Sequence, residues 1–372
     1  MAKKIITESL KTARNIILIQ LGDIGDVVWS TPTLRAVKRS CPEANVSVLV
    51  REGFGNLLSA DPSFHQIFEV KKYKGNLLQK FYKQMEFIRE LRRHHFDIAL
   101  DLRLDERGAY MAFISGAMIR IRMSNPDVPY WPNRLFTHLV TPPPRPGKTG
   151  GAAEQSLCIL RALGINTESN TPVLLISDKN RSTALEILRS AGLTEETRWV
   201  SINPFSRWSY KEWSNDKWSE VIDWLWNQFR IAAVLVGAGW ERKKAEDLAG
   251  KTKGRVFNLA GMTLLDELAA LLELSLLNIG VDSAAPHIAA AVGTPTITIF
   301  GPSDWEEWAP IGPKHRVILP NRDCIPCYQK GCGDKGGSLC LEELTVEEVK
   351  QGIQSALNNL DKRTGAIQNP VL

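Results

Sequence analysis

The segment "NIILIQLGDIGDVVWSTPTLRAVKRSCPEA", residues 15–44, joins an apolar run to a helix, expected to open near Pro32, through a turn that contains glycine. Short continuous apolar runs are typical of parallel strands that are buried on both faces. A strand, a glycine-containing turn and a helix form the unit from which nucleotide-binding α/β sheets are built. The turn also contains two carboxylates, Asp23 and Asp26, where such a sheet would usually bind phosphate. The segment therefore predicts an α/β fold and raises the question of what its acids do.

Apolar runs and amphipathic stretches alternate along the whole chain. The first half contains candidate strands at residues 16–20, 46–50, 66–70, 97–102 and 119–123, and the pattern restarts with candidates at residues 199–205, 231–238, 255–261, 276–282 and 294–301. Between the two series, residues 125–151 contain too many Pro and Gly residues to be regular over most of their length. Strands that alternate with helices in this way predict parallel, doubly wound sheets.

The length of the chain indicates more than one domain. At 372 residues it exceeds what one hydrophobic core usually serves. We predict two Rossmann-like domains, residues 1–172 and 173–345, whose parallel sheets face each other across a cleft. The closing helix and tail, residues 346–372, are expected to pack back across the domain junction. Ligands commonly bind in clefts between domains, so the strand ends that line this cleft are the places to look for chemistry.

The composition is that of a globular protein, but the charge is unevenly distributed. Hydrophobic residues make up 44% and charged residues 23%, which excludes wholesale disorder. No apolar run suits a membrane span and the N-terminus lacks the apolar core of a secretory signal, so we expect a cytoplasmic protein. Residues 65–95 carry eight Lys or Arg against three Glu, a net charge of +5. This basic segment is either a solvated helix face or a site for a phosphorylated or lipid-headgroup partner.

The second half has a candidate anion site at one strand end. A strand ends at Asp282 and a helix begins near Pro286, so exposed backbone amides there favour an anion such as a nucleotide diphosphate. His287 is either a donor to that phosphate or a structural histidine. Asp282 either caps the helix or bonds the hydroxyl groups of a sugar.

Two further loops of the second half carry candidate ligands. Lys211, together with Ser206, follows another strand end and either reaches the same anion or is a plain surface lysine. Glu241 stands at the start of a helix, where its carboxylate either interacts with the helix dipole or accepts hydrogen bonds from ribose hydroxyls.

The acids of the first loop gain a role if the second half holds the phosphates. Asp26 would then be a general base that takes the proton from an acceptor hydroxyl as that oxygen attacks the anomeric carbon of a sugar. Lys211 and the helix amides would stabilise the departing diphosphate. Alternatively, Asp26 only caps the following helix. A dinucleotide oxidoreductase is disfavoured because the loop reads G-D-I-G-D rather than G-x-G-x-x-G.

Four blocks of sequence together resemble one enzyme family. They are "LIQLGDIGDVVWSTPTLRAVKRSCPEANVSVLV", "NPFSRWSYKEWSNDKW", "GVDSAAPHIAAAVGTPTITIFGPSDWEEWAPIGPKHRVI" and "CIPCYQKGC", in this order along the chain. They are similar to glycosyltransferase family 9, the ADP-heptose:lipopolysaccharide heptosyltransferases, in a heptosyltransferase II-like form. The resemblance implies a GT-B architecture and a metal-independent, inverting transfer of a heptose from ADP-heptose to the inner core of lipopolysaccharide.

The resemblance also implies roles for individual residues. Asp26 corresponds to the base, and Lys211 to the lysine that binds phosphate. The implied nucleotide-sugar ligands are Ser206, Lys211, Glu241, Met262, Asp282, Ser283 and His287. Among these, Glu241 would bind the ribose and Met262 would line the adenine pocket. The family pattern D-[ST]-G-x-x-H has Ala284 in place of its glycine here, and the added methyl takes room where backbone approaches phosphate.

The acceptor implied by the resemblance is anionic and anchored in a membrane. It gives a reason for the basic segment and for Arg120 and Arg122 as acceptor-binding residues. We expect a peripheral protein at the cytoplasmic face of the inner membrane, with no cofactor, no metal in catalysis and no nucleic-acid partner. Two alternatives stay open: a GT-B transferase for a different nucleotide sugar, and a nucleotide-sugar-binding protein without turnover.

The six cysteines fall into two groups. Cys41 and Cys158 stand alone in helical contexts and are interpreted as small buried hydrophobic residues. The other four, Cys324, Cys327, Cys332 and Cys340, cluster in a glycine-rich loop. Their spacing is too wide in the second pair for a typical zinc knuckle, so a structural Zn²⁺, disulfides and reduced thiols all stay open.

Overall fold

The computed structural model describes residues 8–124, 130–141, 151–165, 167, 169–194, 196–332 and 336–364. The chain divides into two compact units, Met1–Leu174 and Leu175–Leu372. Each unit contains one six-stranded parallel sheet with helices between its strands, as the alternating pattern predicts. Among the described residues, no helix combines the length and the apolar character needed to cross a membrane.

The first unit has the strand order β3-β2-β1-β4-β5-β6, and every pairing is parallel. The strands are β1 (Asn15–Ile19), β2 (Asn45–Arg51), β3 (Gln66–Val70), β4 (Ile98–Asp101), β5 (Ile119–Met123) and β6 (His138–Val140). The helices are α1 (Ile24–Ser40), α2 (Leu77–Arg93), α3 (Glu106–Ile114), α4 (Tyr130–Asn133) and α5 (Glu154–Ala162), with a 3₁₀ turn at Gly55–Leu58. Residues 16–19 of the central strand β1 are fully buried, which explains their uninterrupted apolar sequence.

The second unit repeats this arrangement with the order β12-β11-β10-β7-β8-β9. Its strands are β7 (Trp199–Asn203), β8 (Ala232–Leu235), β9 (Val256–Asn258), β10 (Asn278–Val281), β11 (Thr296–Ile299) and β12 (His315–Ile318). Its helices are α6 (Asp178–Ser190), α7 (Asn215–Phe229), α8 (Arg242–Lys251), α9 (Leu265–Glu273), α10 (Ala284–Ala291), α11 (Trp305–Trp308), α12 (Leu339–Glu343) and α13 (Val346–Thr364). Short 3₁₀ turns lie at Ser209–Lys211 and Gly239–Glu241.

Every strand expected from the sequence forms, and two others were not expected. β6 and β12 are edge strands of three and four residues that are only partly buried, so they lack the long apolar run of a central strand. β6 and α4 lie within the stretch 125–151, of which residues 125–129 and 142–150 fall outside the described part of the chain.

One helix begins at a residue other than the one expected: α1 begins at Ile24 rather than near Pro32, which instead lies inside the helix. The N-terminal cap of α9 is Leu264, whose amide donates to Oε2 of Glu267 at 2.7 Å.

The closing helix α13 belongs to the core of the second unit. It contacts α7 and β12, and its residues Val349, Ile353 and Leu357 are at most 1% exposed. The same hydrophobic cluster contains Trp218 of α7 and Ile279 of β10.

A buried ion pair joins β4 and β5 of the first unit. Nε of Arg122 lies 3.5 Å from Oδ2 of Asp101, and both side chains are fully buried. The Arg122 guanidinium also lies 5.4 Å from the centre of the Phe136 ring. Burial raises the pKa of Asp101 well above its ordinary value, and Arg122 opposes that rise. Arg122 is therefore a counter-ion inside the sheet and, contrary to the expectation from the sequence, is not exposed to bind an acceptor.

Replacing Arg122 by Ala should destabilise the first unit by about 3–5 kcal/mol at neutral pH, because Asp101 would be left buried without a counter-charge. The loss of Arg122 raises the folded-state pKa of Asp101 further. A carboxyl whose pKa is raised on folding loses stability as pH rises from its unfolded pKa to its folded pKa, so the defect should shrink on acidification. Denaturant unfolding at acidic and neutral pH measures both effects.

Arg120→Ala is the matched control, since Arg120 lies on the same strand but donates to the carbonyl oxygens of Leu135 and Ala117, each at 2.7 Å, rather than to a carboxylate. Equal pH dependence of the two variants would contradict the role of Arg122 as the counter-ion of Asp101.

Candidate active site

Both sheets reverse their strand order at the centre, and the candidate residues lie at these two reversals. In the first unit β1 neighbours β4, and in the second β7 neighbours β10. Loops that leave the carboxyl ends of two such strands diverge to opposite faces of the sheet, and the space between them is the usual ligand site of open α/β sheets. The two units therefore each have one such site, and they differ in the charged groups that the loops supply.

Asp26 lies in the first turn of α1, directly after β1. Its Oδ2 accepts a hydrogen bond from the Asp23 amide at 2.7 Å and lies 2.5 Å from Nη1 of Arg103, in the loop after β4. Both contacts engage Oδ2, which within the described part of the chain leaves Oδ1 as the oxygen available for proton transfer. Burial raises the pKa of Asp26, while Arg103 and the Asp23 amide act to lower it. Asp26 thus caps the helix and also keeps a titratable oxygen, so the two alternatives from the sequence are compatible.

The glycine of this loop makes room for the ion pair. A Cβ at Gly22 would lie 2.4 Å from Oδ2 of Asp26 and 2.6 Å from Nη1 of Arg103, closer than packed atoms approach. The second acid, Asp23, pairs with Nη1 of Arg51 at the end of β2, at 2.5 Å. The first loop is therefore a cluster of carboxylates and guanidinium groups, which explains how acids are accommodated in a turn that resembles a phosphate loop.

The second unit brings Lys211, Ser206 and Asp282 together. Nζ of Lys211 lies 2.6 Å from Oδ2 of Asp282, and the two side chains are only 21% and 8% exposed. Ser206 Oγ donates to the Asp282 carbonyl oxygen at 3.4 Å. The loops that follow β7 and β10 are thus tied to each other by a charged contact and a neutral one. Lys211 is consequently not a plain surface lysine.

His287 lies in the first turn of α10, beside this ion pair. Burial lowers the pKa of His287 to about 4, and the nearby Lys211 adds to the effect while Asp282 opposes it. The imidazole is therefore uncharged at neutral pH, and its ring N–H is able to donate to an anion. Ser283, the N-terminal cap residue of α10, is half-buried and leads directly into this turn.

Glu241 and Met262 lie on the next two loops along the same edge of the sheet. Oε2 of Glu241 accepts a hydrogen bond from the Ala238 amide at 2.7 Å, and burial raises its pKa. Met262 follows β9 and is 44% exposed. The loops touch where the Gly261 amide donates to the Gly237 carbonyl oxygen at 2.9 Å. The structure thus places all seven residues expected to bind a nucleotide sugar on the segments that follow β7, β8, β9 and β10, with His287 in the first turn of α10.

Asn203, at the end of β7, is a site-building residue that the sequence analysis missed. Its Nδ2 donates to Ser283 Oγ at 2.9 Å and to the Val281 carbonyl oxygen at 3.3 Å, which fixes the turn between β10 and α10. A Cβ at Gly280 would lie 2.1 Å from Oδ1 of Asn203, so only glycine fits there. The sequence feature that could have identified Asn203 is an amide side chain at the last position of an apolar strand.

The remaining candidates have structural contacts. The guanidinium of Arg120 is held by two backbone carbonyl oxygens, and that of Arg122 is inside the sheet. Cys41 and Cys158 are buried, as expected. Cys324, Cys327, Cys332 and Cys340 are free thiols, and no group of metal ligands occurs in the described residues, which leave out 333–335 of this loop. Burial raises the pKa of the Cys340 thiol to about 11, so it stays protonated.

Comparisons with known proteins agree with this arrangement. Residues 84–336 match the model of glycosyltransferase family 9 (heptosyltransferase). Lipopolysaccharide heptosyltransferase 3 of Escherichia coli is 30% identical over 295 residues, which cover 77% of this chain and 83% of the relative.

Two solved structures share the fold. A family 9 glycosyl transferase from Veillonella parvula has a TM-score of 0.80 at 22% identity, over 94% of this chain and 99% of that one. E. coli heptosyltransferase WaaC, solved with ADP-2-deoxy-2-fluoro heptose, has a TM-score of 0.67 at 19% identity, over 92% and 99%. The chain has the two-sheet GT-B fold of these enzymes, belongs to glycosyltransferase family 9, the heptosyltransferases, and is a glycosyltransferase.

Proposed function

We propose that this protein transfers a heptose from ADP-heptose to the inner core of lipopolysaccharide, with inversion at the anomeric carbon. The observation that carries the proposal is the assembly of Lys211, Asp282 and His287 at the strand-order reversal of the second unit, with Asp26 at that of the first. The names of the relatives support the substrate class. The fold alone does not fix it, since fold and function are separable.

The donor would bind to the second unit. Its diphosphate would accept hydrogen bonds from Lys211, the neutral His287 ring and the first amides of α10, which together favour negative charge. Asp282, which holds Lys211 in the free protein, would exchange part of that contact for the hydroxyls of the sugar. The structure of WaaC with an ADP-heptose analogue supports ADP-heptose as the donor. The half-buried Ala284 stands beside this site and bears on how closely the backbone approaches the phosphates.

Asp26 would act as the general base. As the acceptor oxygen forms a bond to the anomeric carbon, its proton passes to Oδ1 of Asp26, and the bond from that carbon to the diphosphate oxygen breaks. ADP leaves with the electron pair, and Lys211 stabilises the negative charge that develops. Arg103 keeps Oδ2 in place, so Asp26 does not turn away when it is protonated. We also propose that the enzyme works at the cytoplasmic face of the membrane that carries the acceptor, as a peripheral protein.

The direct test is incubation of the purified protein with ADP-heptose and a truncated core acceptor, followed by the mass of the product. A gain of one heptose is expected. The alternative donor is tested in parallel by binding of ADP, UDP and NAD: stronger binding of UDP would favour a different nucleotide sugar, and tight binding of NAD would contradict the proposal. Binding without any product would favour the alternative without turnover.

Asp26→Asn should lower the turnover number by about 10²–10⁴-fold while leaving the affinity for ADP unchanged, because the amide cannot take the proton. Arg103→Gln tests how the base is tuned. Because Arg103 lowers the pKa of Asp26, its removal raises that pKa, and the acidic limb of the pH–rate profile should move to higher pH. Arg107→Gln is the matched control, since Arg107, at the start of α3, pairs with Asp105 at 2.8 Å. Unchanged turnover in Asp26→Asn would refute the assignment of the base.

Lys211→Ala should weaken ADP binding by about tenfold or more, the effect of losing a charge-assisted hydrogen bond. The variant also leaves the Asp282 carboxylate without its counter-ion, which adds repulsion toward the diphosphate. Calorimetric titration with ADP measures the loss. Lys243→Ala is the control because Lys243 is exposed on α8 and pairs only locally with Asp247, at 3.0 Å. Equal affinity of the two variants would remove Lys211 from the donor site.

A further inference from the structure

The apolar stripe of α2 is buried at one end of the helix and exposed at the other. Leu91, near the C-terminal end, is fully buried. Toward the N-terminal end the stripe continues into Leu77, Leu78, Phe81 and Tyr82, whose exposed fractions are 85%, 68%, 56% and 69%. At 100° per residue these four side chains occupy an arc of about 140° on one side of the helix. We call them the apolar tip of α2.

Lysines surround the apolar tip. Residues 71–83 contain Lys71, Lys72, Lys74, Lys80 and Lys83 and no Asp or Glu. All but the half-buried Lys80 are exposed, and the Lys83 ammonium lies 5.9 Å from the centre of the Tyr73 ring. Burial, and after it the carboxylates of Glu86, Glu90 and Glu52, raise the pKa of Tyr73, and these three acids lie outside the segment. The sequence from 71 to 83 therefore combines a net charge of +5 with four exposed large apolar or aromatic side chains.

We propose that the apolar tip of α2 inserts into the interfacial region of an anionic lipid bilayer, with the lysines of residues 71–83 bound to its headgroups. The inference deepens the proposed function, on which it rests for the membrane-anchored acceptor. A helix with apolar side chains on one side and lysines beside them is the pattern that lies in a bilayer surface. Each lysine near an anionic surface adds to the attraction, and the aromatic ring of Tyr82 suits the headgroup level.

The charge of this surface favours a membrane over a second copy of the chain as its binding partner. Two copies that met through their apolar tips would bring ten lysines together without acids from the same segments, and like charges in a contact are destabilising. An anionic bilayer supplies the opposite charge and an apolar layer beneath it. The proposed contact is superficial, since the tip belongs to the first turns of a helix whose Leu91, near the C-terminal end, packs in the hydrophobic cluster of the first sheet.

The test is cosedimentation of the full-length protein with vesicles of phosphatidylcholine alone and with vesicles that also contain phosphatidylglycerol. Binding is expected only to the anionic vesicles, and it should weaken at high salt. A variant with Leu77, Leu78, Phe81 and Tyr82 all replaced by Ser should bind at least about tenfold more weakly than the wild type, because these side chains would no longer leave water. Replacing the five lysines by Gln should weaken binding to the anionic vesicles to the level seen with phosphatidylcholine alone, and the binding that remains should not depend on salt.

The matched control replaces Leu175, Ile311 and Leu339, which are exposed on the second unit by 42%, 44% and 45%, with Ser. It should bind vesicles like the wild type. Equal binding by the Ser variant of the apolar tip, or equal binding to both kinds of vesicle, would overturn the proposal. The proposal would also be overturned if light scattering showed that the wild-type protein is a dimer and the Ser variant of the apolar tip a monomer, because a second copy would then cover the surface.

An assay with an acceptor that lacks acyl chains distinguishes failure of this proposal from failure of the proposed function. The Ser variant of the apolar tip should transfer to that soluble acceptor at the wild-type rate and lose activity only on acceptor embedded in vesicles. Equal loss on both acceptors would mean that α2 acts on the fold rather than on the membrane. Absence of transfer by the wild-type protein would contradict the proposed function and leave vesicle binding to decide this inference alone.

Discussion

The loops at the point where each sheet reverses its strand order depend on a compensated pair of charges. In the first unit Asp26 is paired with Arg103, and in the second Lys211 is paired with Asp282. The carboxylate of each pair is largely buried, with side-chain exposures of 12% for Asp26 and 8% for Asp282, so neither would be stable there without its cation. Each pair joins the loops after the two central strands of its sheet, and so fixes the geometry of both loops at once.

Pairing also sets the protonation states that the proposed reaction needs. Burial raises the pKa of Asp26, and Arg103 limits that rise. His287 is held neutral by burial, which lets it donate without adding a second full charge beside Lys211. The Asp101–Arg122 pair lies deeper in the first sheet, and Arg103 donates its backbone N–H to Asp101 at 3.1 Å. The Asp26–Arg103 pair is therefore supported from the core of its own unit.

Two glycines near the candidate site are needed for side-chain contacts rather than for turn geometry. Gly22 leaves room for the Asp26–Arg103 pair, and Gly280 leaves room for Asn203. In both cases a larger residue would push a polar side chain away from the partner that fixes it. The exposed half of α2 shows the opposite situation, in which large apolar side chains stay mostly exposed to solvent. Stability alone gives no reason for these exposed apolar side chains. Exposed apolar patches usually mark an interaction surface.

The sequence alone determined the fold class, the central strands and the candidate site loops. Buried parallel strands require continuous apolar runs, and Asp26, Lys211 and Asp282 lie on the segments that follow such runs, so position along the chain pointed to them as candidates. The edge strands β6 and β12 were not predicted, because a partly buried strand does not require a continuous apolar run. Only the tertiary structure decided which charges are paired. Arg122 is chemically suited to an anionic ligand, but the register of β4 against β5 places it opposite Asp101. Contacts between residues far apart in sequence are fixed by strand order and register, which no local pattern encodes.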